Sequence, residues 1–191
     1  MAAYITYILT FYPGVVEYDS LLQLRQVLGE TYINHHPWLH TMIIKIIYDT
    51  GFAVLGSENR AVALYSIWSM GIFSSAYATA ISYLYKKGVK KYWLVLLLFF
   101  CAFCPINGIY SITMWKDIPF AAAVLFFILL ICKLFENMKQ QKSNLLYWLL
   151  FIPLSFLMCF LRTNGLYAFL LILPVLLFIF RQQKKPFLLS A

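Results

Sequence analysis

Charge is what this sequence has least of: 12% of its 191 residues are Asp, Glu, Lys or Arg, and only seven are acidic. That scarcity excludes an ordinary soluble domain. A chain 63% hydrophobic, with mean hydropathy of +0.79, carries more apolar surface than a core of this size can hide, so lipid must solvate much of it. Cysteine is also sparse. Cys101, Cys104, Cys132 and Cys159 all lie within or at the edge of apolar segments, which excludes a disulfide framework. The spacing Cys101-x-x-Cys104 matches a redox dipeptide but has no βαβ context, so these thiols are read as packing groups. There is no internal repeat, no low-complexity tract and no inverted hydropathy symmetry of the kind many transporters carry. A cleavable leader is not evident either. The first apolar run passes into Tyr12-Pro13-Gly14 without a basic start or a small-residue cleavage site, and is expected to stay as an anchor.

What is present is a series of uncharged runs. They predict an all-α polytopic membrane protein with about six transmembrane helices, at about 1–16, 61–85, 92–114, 118–135, 143–161 and 165–181. The whole is read as a single membrane domain with an outer amphipathic loop at 17–60. The ending at Pro186 to Ala191 reads as a chain cut short of its C-terminal portion.

Loop charge orients these spans. Lys86, Lys87, Lys90 and Lys91 form one basic loop. Lys133, Lys139 and Lys142 with Glu136 form a second, and Arg181, Lys184 and Lys185 a third; all three are assigned to the cytoplasm. The net charge of +8 therefore comes in loop clusters between apolar runs, not on the single solvated face that nucleic-acid binding needs. The stretch 13–60 has the opposite balance, with Glu17, Asp19, Glu30, Asp49 and Glu58 against Arg25, Lys45 and Arg60. A charge at the bilayer centre costs about 2.5–3.5 kcal/mol, so Lys116-Asp117 and Arg162 mark turns at the outer surface. Pro119 suits the first turn of the returning helix, and Asn164-Gly165 supplies turn chemistry beside Arg162.

The outer loop reads as two helices near the membrane surface. Ser20-x-x-Gln23 has a capping-box pattern, and Gly29 is suited to end that helix. A second begins at Pro37 and sets Trp38, Leu39, Met42 and Ile43 against Lys45 and Asp49, ending at Gly51 or Gly56; it reads as interfacial. In the helix 61–85, Gly71, Ser75 and Thr79 follow the small-residue spacing that lets membrane helices approach closely.

Several polar residues can carry chemistry. Asp19, at the start of an outer helix, is placed either to cap that helix or to act as a general base, with Glu17 nearby. His35, His36 and His40 form a compact set, with His36 and His40 one helical turn apart. That spacing permits a divalent metal, and it equally suits polar anchoring or substrate contact. Lys116, Asp117 and Arg162 suit a lipid-linked phosphate whose tail stays in the bilayer, or simple interfacial anchoring.

Taken together, several short motifs resemble a bacterial family of polytopic membrane proteins related to the GT-C glycosyltransferases. They are Tyr12-Pro13-Gly14 with Asp19, Gln23 and Gln26, then His35-His36-Pro37-x-x-x-Thr41, Trp115-Lys116-Asp117-Ile118-Pro119-Phe120 and Arg162-Thr163-Asn164-Gly165. The resemblance covers nearly the whole chain but only the N-terminal part of the usual family length. It implies a membrane transferase that moves a sugar from a polyprenyl-phosphate donor to an extracytoplasmic acceptor, whether glycan, lipid or protein, at the plasma membrane. Asp19 matches the essential acid of that fold's first outer loop. Lys116 and Arg162 are implied as donor-phosphate contacts and Asp117 as a second acid, with Asn164, His35, His36 and Gln23 as further substrate-binding positions. Asp19 is followed by Ser20 and not by a second acid, which departs from better-known members and leaves no certain cofactor, a divalent metal being one option. Two other classes compete with this reading. One is a transporter, which would put ionisable groups near the bilayer midplane. The other is a non-catalytic membrane subunit.

Overall fold

A computed structural model describes residues 1–31, 33, 36–140 and 144–181. Among these the chain is all-helical, with nine α-helices and an isolated bridge between Val15 and Thr113 in place of any sheet. A 3-10 turn, Ala2–Tyr4, leads into α1 (Ile5–Thr10). Then come α2 (Tyr18–Val27), α3 (Trp38–Leu55) and α4 (Glu58–Lys86). The second half holds α5 (Lys91–Phe103), α6 (Pro105–Ser111), α7 (Asp117–Lys139), α8 (Leu145–Phe160) and α9 (Thr163–Arg181).

Four of these, α3, α4, α7 and α9, are long and apolar enough to cross a membrane, and α5 with α6 passes the same test as one broken span. The break is a 57° bend. Its cause is local. Pro105 has no N–H to continue the helix, and Cys104 before it is held extended, as a residue preceding proline prefers. At 16 residues α8 reaches about 24 Å, short of a typical ~30 Å hydrocarbon core.

The first expected span differs most. Of 1–16, only Ala2 to Thr10 is helical, about 14 Å of helix. One side of this segment packs on protein, while Ile5, Leu9 and Phe11 are exposed. Tyr4 is 2% exposed, beside Met70, Phe73, Ile112 and Ile118, and its hydroxyl donates to the Cys101 carbonyl at the α5–α6 elbow. Tyr7 lies against Gly108, where a Cβ would stand 2.3 Å from its ring.

Two further cores complete the packing. Ile44 and Tyr48 of α3 meet Ala61, Val62 and Tyr65 of α4, with Met114 beside them. Phe127, Met158 and Leu176 join α7, α8 and α9. The stripe Gly71, Ser75 and Thr79 does not form a helix contact. Ser75 and Thr79 are exposed and bond back to the carbonyls of Ile72 and Ser75, while α4 buries Tyr65, Ser66, Ser69, Met70, Phe73 and Ala76 instead.

Candidate functional site

The chain between Pro13 and Ser20 is strapped onto the turn before α7. The Val15 amide donates to the Ile112 carbonyl at 3.1 Å, and the Met114 amide donates to the Val15 carbonyl at 2.8 Å. The Ser20 hydroxyl donates to the Met114 carbonyl. From α4, Ser66 Oγ lies 3.0 Å from the Pro13 carbonyl and 3.2 Å from that of Ile112. Gly14 makes this approach possible. Its φ is +129°, and a Cβ there would fall 2.0 Å from Ser66 Oγ.

This strap delivers Asp19 to Lys116. The carboxylate Oδ2 accepts from Lys116 Nζ at 2.8 Å across 97 residues of sequence, with the lysine side chain 17% exposed and the aspartate 43%. Asp19 sits in the first turn of α2, where the helix dipole favours its charge; Glu17 is the N-cap residue, and the Ser20 hydroxyl is turned to the Met114 carbonyl. The next residue, Asp117, opens α7 and pairs with Arg162 at 2.7 Å. The Arg162 guanidinium also stands 6.0 Å from the Phe120 ring centroid. Arg162 is presented by the break between α8 and α9, which is tight because Gly165 lies where a Cβ would meet the Met158 carbonyl at 2.0 Å. Four charged groups from three distant stretches thus form two ion pairs joined through the Lys116–Asp117 peptide.

The chemistry available is that of an acid–base pair next to a second cation. Asp19 keeps nearly half its surface toward solvent and has a proton-accepting oxygen to offer a hydroxyl. Lys116 and Arg162 carry donors that match phosphate oxygens. An incoming phosphate would compete with Asp19 and Asp117 for them, since the four charges balance.

Three expected substrate contacts lie elsewhere. Gln23 is 1% exposed and belongs to the scaffold. Its Nε2 donates to Thr41 Oγ1 at 2.8 Å, and its Oε1 lies 2.9 Å from His40 Nδ1. His40 Nε2 is 2.7 Å from the Tyr65 hydroxyl. Because the Gln23 oxygen can only accept, Nδ1 carries the proton and Nε2 accepts from Tyr65 O–H, so the bonding fixes a neutral tautomer. Both ring nitrogens of His40 are then used within the protein, which removes it from any metal-ligand set. His36 is buried and lines a separate cavity of about 170 Å³ with Leu22, Gln26 and Glu30. Asn164 is exposed in the first turn of α9, next to Arg162 but outside the ion pairs. His35 lies outside the described residues. Among those residues no group of three or more His, Cys, Asp or Glu side chains could hold a metal ion.

Ser20 as a clamp, Ser66, Tyr65 and the ring of Phe120 are not among the positions expected from sequence. Ser20 is visible there only as a helix-cap pattern, and nothing marks Tyr65, whose partners lie in other helices.

Fold and site together define an all-helical protein with several helices able to span a membrane and a paired-charge cluster where helix ends meet. The chain belongs to DUF6020, a family of unknown function, whose model matches residues 28–189. Lys116, Asp117 and Arg162 fall inside that match and Asp19 before it. No curated protein and no solved structure matches the chain.

Proposed function

We propose that this chain is a GT-C-type membrane transferase that moves a sugar from a polyprenyl-phosphate donor to an acceptor hydroxyl on the extracytoplasmic face of the plasma membrane. The observation that carries the reading is the convergence of Asp19, Lys116, Asp117 and Arg162 into two adjoining ion pairs at one end of the helices. The motif resemblance supplies the reaction class.

Helix lengths support a surface position for the cluster. Lys86 and Lys139 end α4 and α7 at the lysine-rich side, and a ~30 Å core takes about 20 residues from there. That count reaches Ser66 on α4 and Asp117 to Phe120 on α7, the level of the site. The 29 residues of α4 extend to about 44 Å, so its first turns stand beyond the core, where Ala61, Val62 and Tyr65 pack on α3. This favours an interfacial α3 although its length and composition would permit a crossing. The positive-inside rule then places the lysine-rich ends in the cytoplasm and the ion pairs outside.

In the proposed step, the acceptor oxygen attacks the anomeric carbon as its proton passes to the Asp19 carboxylate. The bond from that carbon to the phosphate oxygen breaks, and polyprenyl phosphate leaves with the electron pair. Lys116 and Arg162, drawn from their carboxylates, stabilise the developing phosphate charge. The test is sugar transfer by purified protein from a panel of short-chain polyprenyl-phosphate hexoses and pentoses to host membrane extract. Asp19→Asn should lose at least a hundredfold in rate while folding normally. Full transfer by that variant would refute the assignment.

A further inference from the structure

The other end of the helices holds a second feature that sugar transfer does not use. Between α4, α7 and α8 lies a cleft of about 440 Å³. Its size is within the ~300–1,000 Å³ typical of ligand clefts. Its deep part is apolar, lined by Leu129 of α7 and by Leu150, Pro153 and Leu154 of α8. At its outer end stand Lys86 and Ser82 of α4, Lys133 of α7 and Tyr147 of α8. α7 and α8 therefore grade in the same direction, from apolar within to cationic and hydroxyl-bearing at the lysine-rich end, over about 10 Å of helix, while α4 lines the cleft with Thr79, Ser82, Tyr83 and Lys86. That is the shape and polarity of a single-chain amphiphile lying parallel to the helices.

The cationic end is undercompensated. Lys87 and Lys133 share one carboxylate, Glu136, at 2.6 and 3.0 Å, and Lys86 forms no ion pair among the described residues. Glu136 is the only acidic residue in the chain after Asp117, which stands at the opposite end of α7, so no second carboxylate on α7, α8 or α9 is near enough to balance the cluster. Lys87 and Lys133 also lie 5.5 and 5.2 Å from the Tyr83 ring centroid, and of these Lys133 and Tyr83 line the cleft. A basic pocket between membrane helices is suited to an anionic lipid headgroup.

We propose that this cleft binds an anionic phospholipid of the leaflet on the lysine-rich side. One acyl chain lies against Leu129, Leu150 and Leu154, and the headgroup phosphate rests on Lys86 and Lys133. A phospholipid is favoured because its two chains divide naturally: one fills the cleft and the other remains in the bilayer, with the phosphate at lysine height. The site lies at the opposite helix ends from Asp19 and is independent of the transfer chemistry.

The experiment is native mass spectrometry of the full chain, released from detergent with phosphatidylglycerol or phosphatidylcholine. The expected result is retention of one phosphatidylglycerol per chain in preference to phosphatidylcholine. Lys86→Gln and Lys133→Gln should each weaken it about fivefold and the pair about twenty-five-fold. Ser82→Trp, which fills the cleft without touching a charge, should also displace it. Lys139→Gln, on α7 but outside the cleft, should leave binding unchanged. Thermal unfolding confirms that each variant is folded. Equal retention of the two lipids would overturn the proposal. So would an effect of Lys139→Gln as large as that of Lys86→Gln, which would mean diffuse attraction to a basic surface. Displacement of phosphatidylglycerol by equimolar polyprenyl phosphate, or by inorganic phosphate, would overturn the choice of lipid.

Discussion

Replacing His40 by Leu should be costly although His40 touches no proposed substrate. The ring is 0% exposed and links α2 to α4, with Nδ1–H toward Gln23 Oε1 at 2.9 Å and Nε2 accepting from Tyr65 at 2.7 Å. Leucine fills similar space, so the cavity term is small. The loss is that two buried groups, the Gln23 carbonyl and the Tyr65 hydroxyl, are left without partners. Each orphaned group costs about 1–3 kcal/mol, giving roughly 2–6 kcal/mol, a large share of the ~5–15 kcal/mol by which folded proteins are stable. In a chain of this length that corresponds to a fall of roughly 5–20 °C in the unfolding midpoint. The assay is thermal unfolding of protein purified in detergent. A double-mutant cycle sharpens it: adding Tyr65→Phe removes one orphan, so the double variant should be less destabilised than the sum of the singles, by about 0.5–3 kcal/mol. A loss below ~0.5 kcal/mol for His40→Leu, or strict additivity in the cycle, would refute the network as drawn. The proposed transfer depends on the same bonds. Gln23 is one helical turn from Asp19, so the network holds the face of α2 that presents Asp19 to Lys116.

The remaining predictions concern the site and its orientation. Lys116→Gln and Arg162→Gln should each raise the KM for a polyprenyl-phosphate sugar by about tenfold, the worth of one charge-assisted hydrogen bond to phosphate, measured by steady-state transfer. Gly14→Ala should destabilise the protein by about 2–4 kcal/mol, because φ is +129° and the new methyl would meet Ser66 Oγ at 2.0 Å; thermal unfolding measures it. In a variant lacking the four native cysteines, Asn164→Cys should react with a membrane-impermeant maleimide in intact cells. Lys139→Cys should react only after permeabilisation, which tests the orientation from both ends.

How much of this is legible in sequence depends on whether a residue's partner is near it in the chain. The α3 start at Trp38 after Pro37 and the Lys116-Asp117 turn into α7 are readable from local signals and occur; of the two glycines offered as the α3 end, Gly56 with φ of +63° closes the helix and Gly51 lies within it. The stretch 1–16 is not readable in this way, because an apolar run looks the same whether lipid or protein covers it, and Tyr4 and Tyr7 are covered by protein. Gln23 and His40 read as surface groups because polar side chains near an acid suggest a site. Only the packing of α2, α3 and α4 shows that their donors and acceptors satisfy one another. Lys116, Asp117 and Arg162 are picked out by the cost of a charge beside lipid, and Asp19 by its place at the start of an outer helix and by the family resemblance. The pairing of Asp19 with Lys116 and of Asp117 with Arg162 is not written in any local pattern.

Structure and chemistry can be separated at Asp19. Its pair with Lys116 is partly exposed, and such pairs contribute about 0–1 kcal/mol, so removing the carboxylate should hardly affect folding. A general base is worth about 10²–10⁴ in rate. The most direct measurement is therefore release of polyprenyl phosphate by right-side-out membrane vesicles given a radiolabelled, short-chain polyprenyl-phosphate sugar from outside. The predicted result is release by the natural chain and background release by Asp19→Asn at equal expression. Release only from inverted vesicles, or undiminished release by the Asp19→Asn variant, would contradict it.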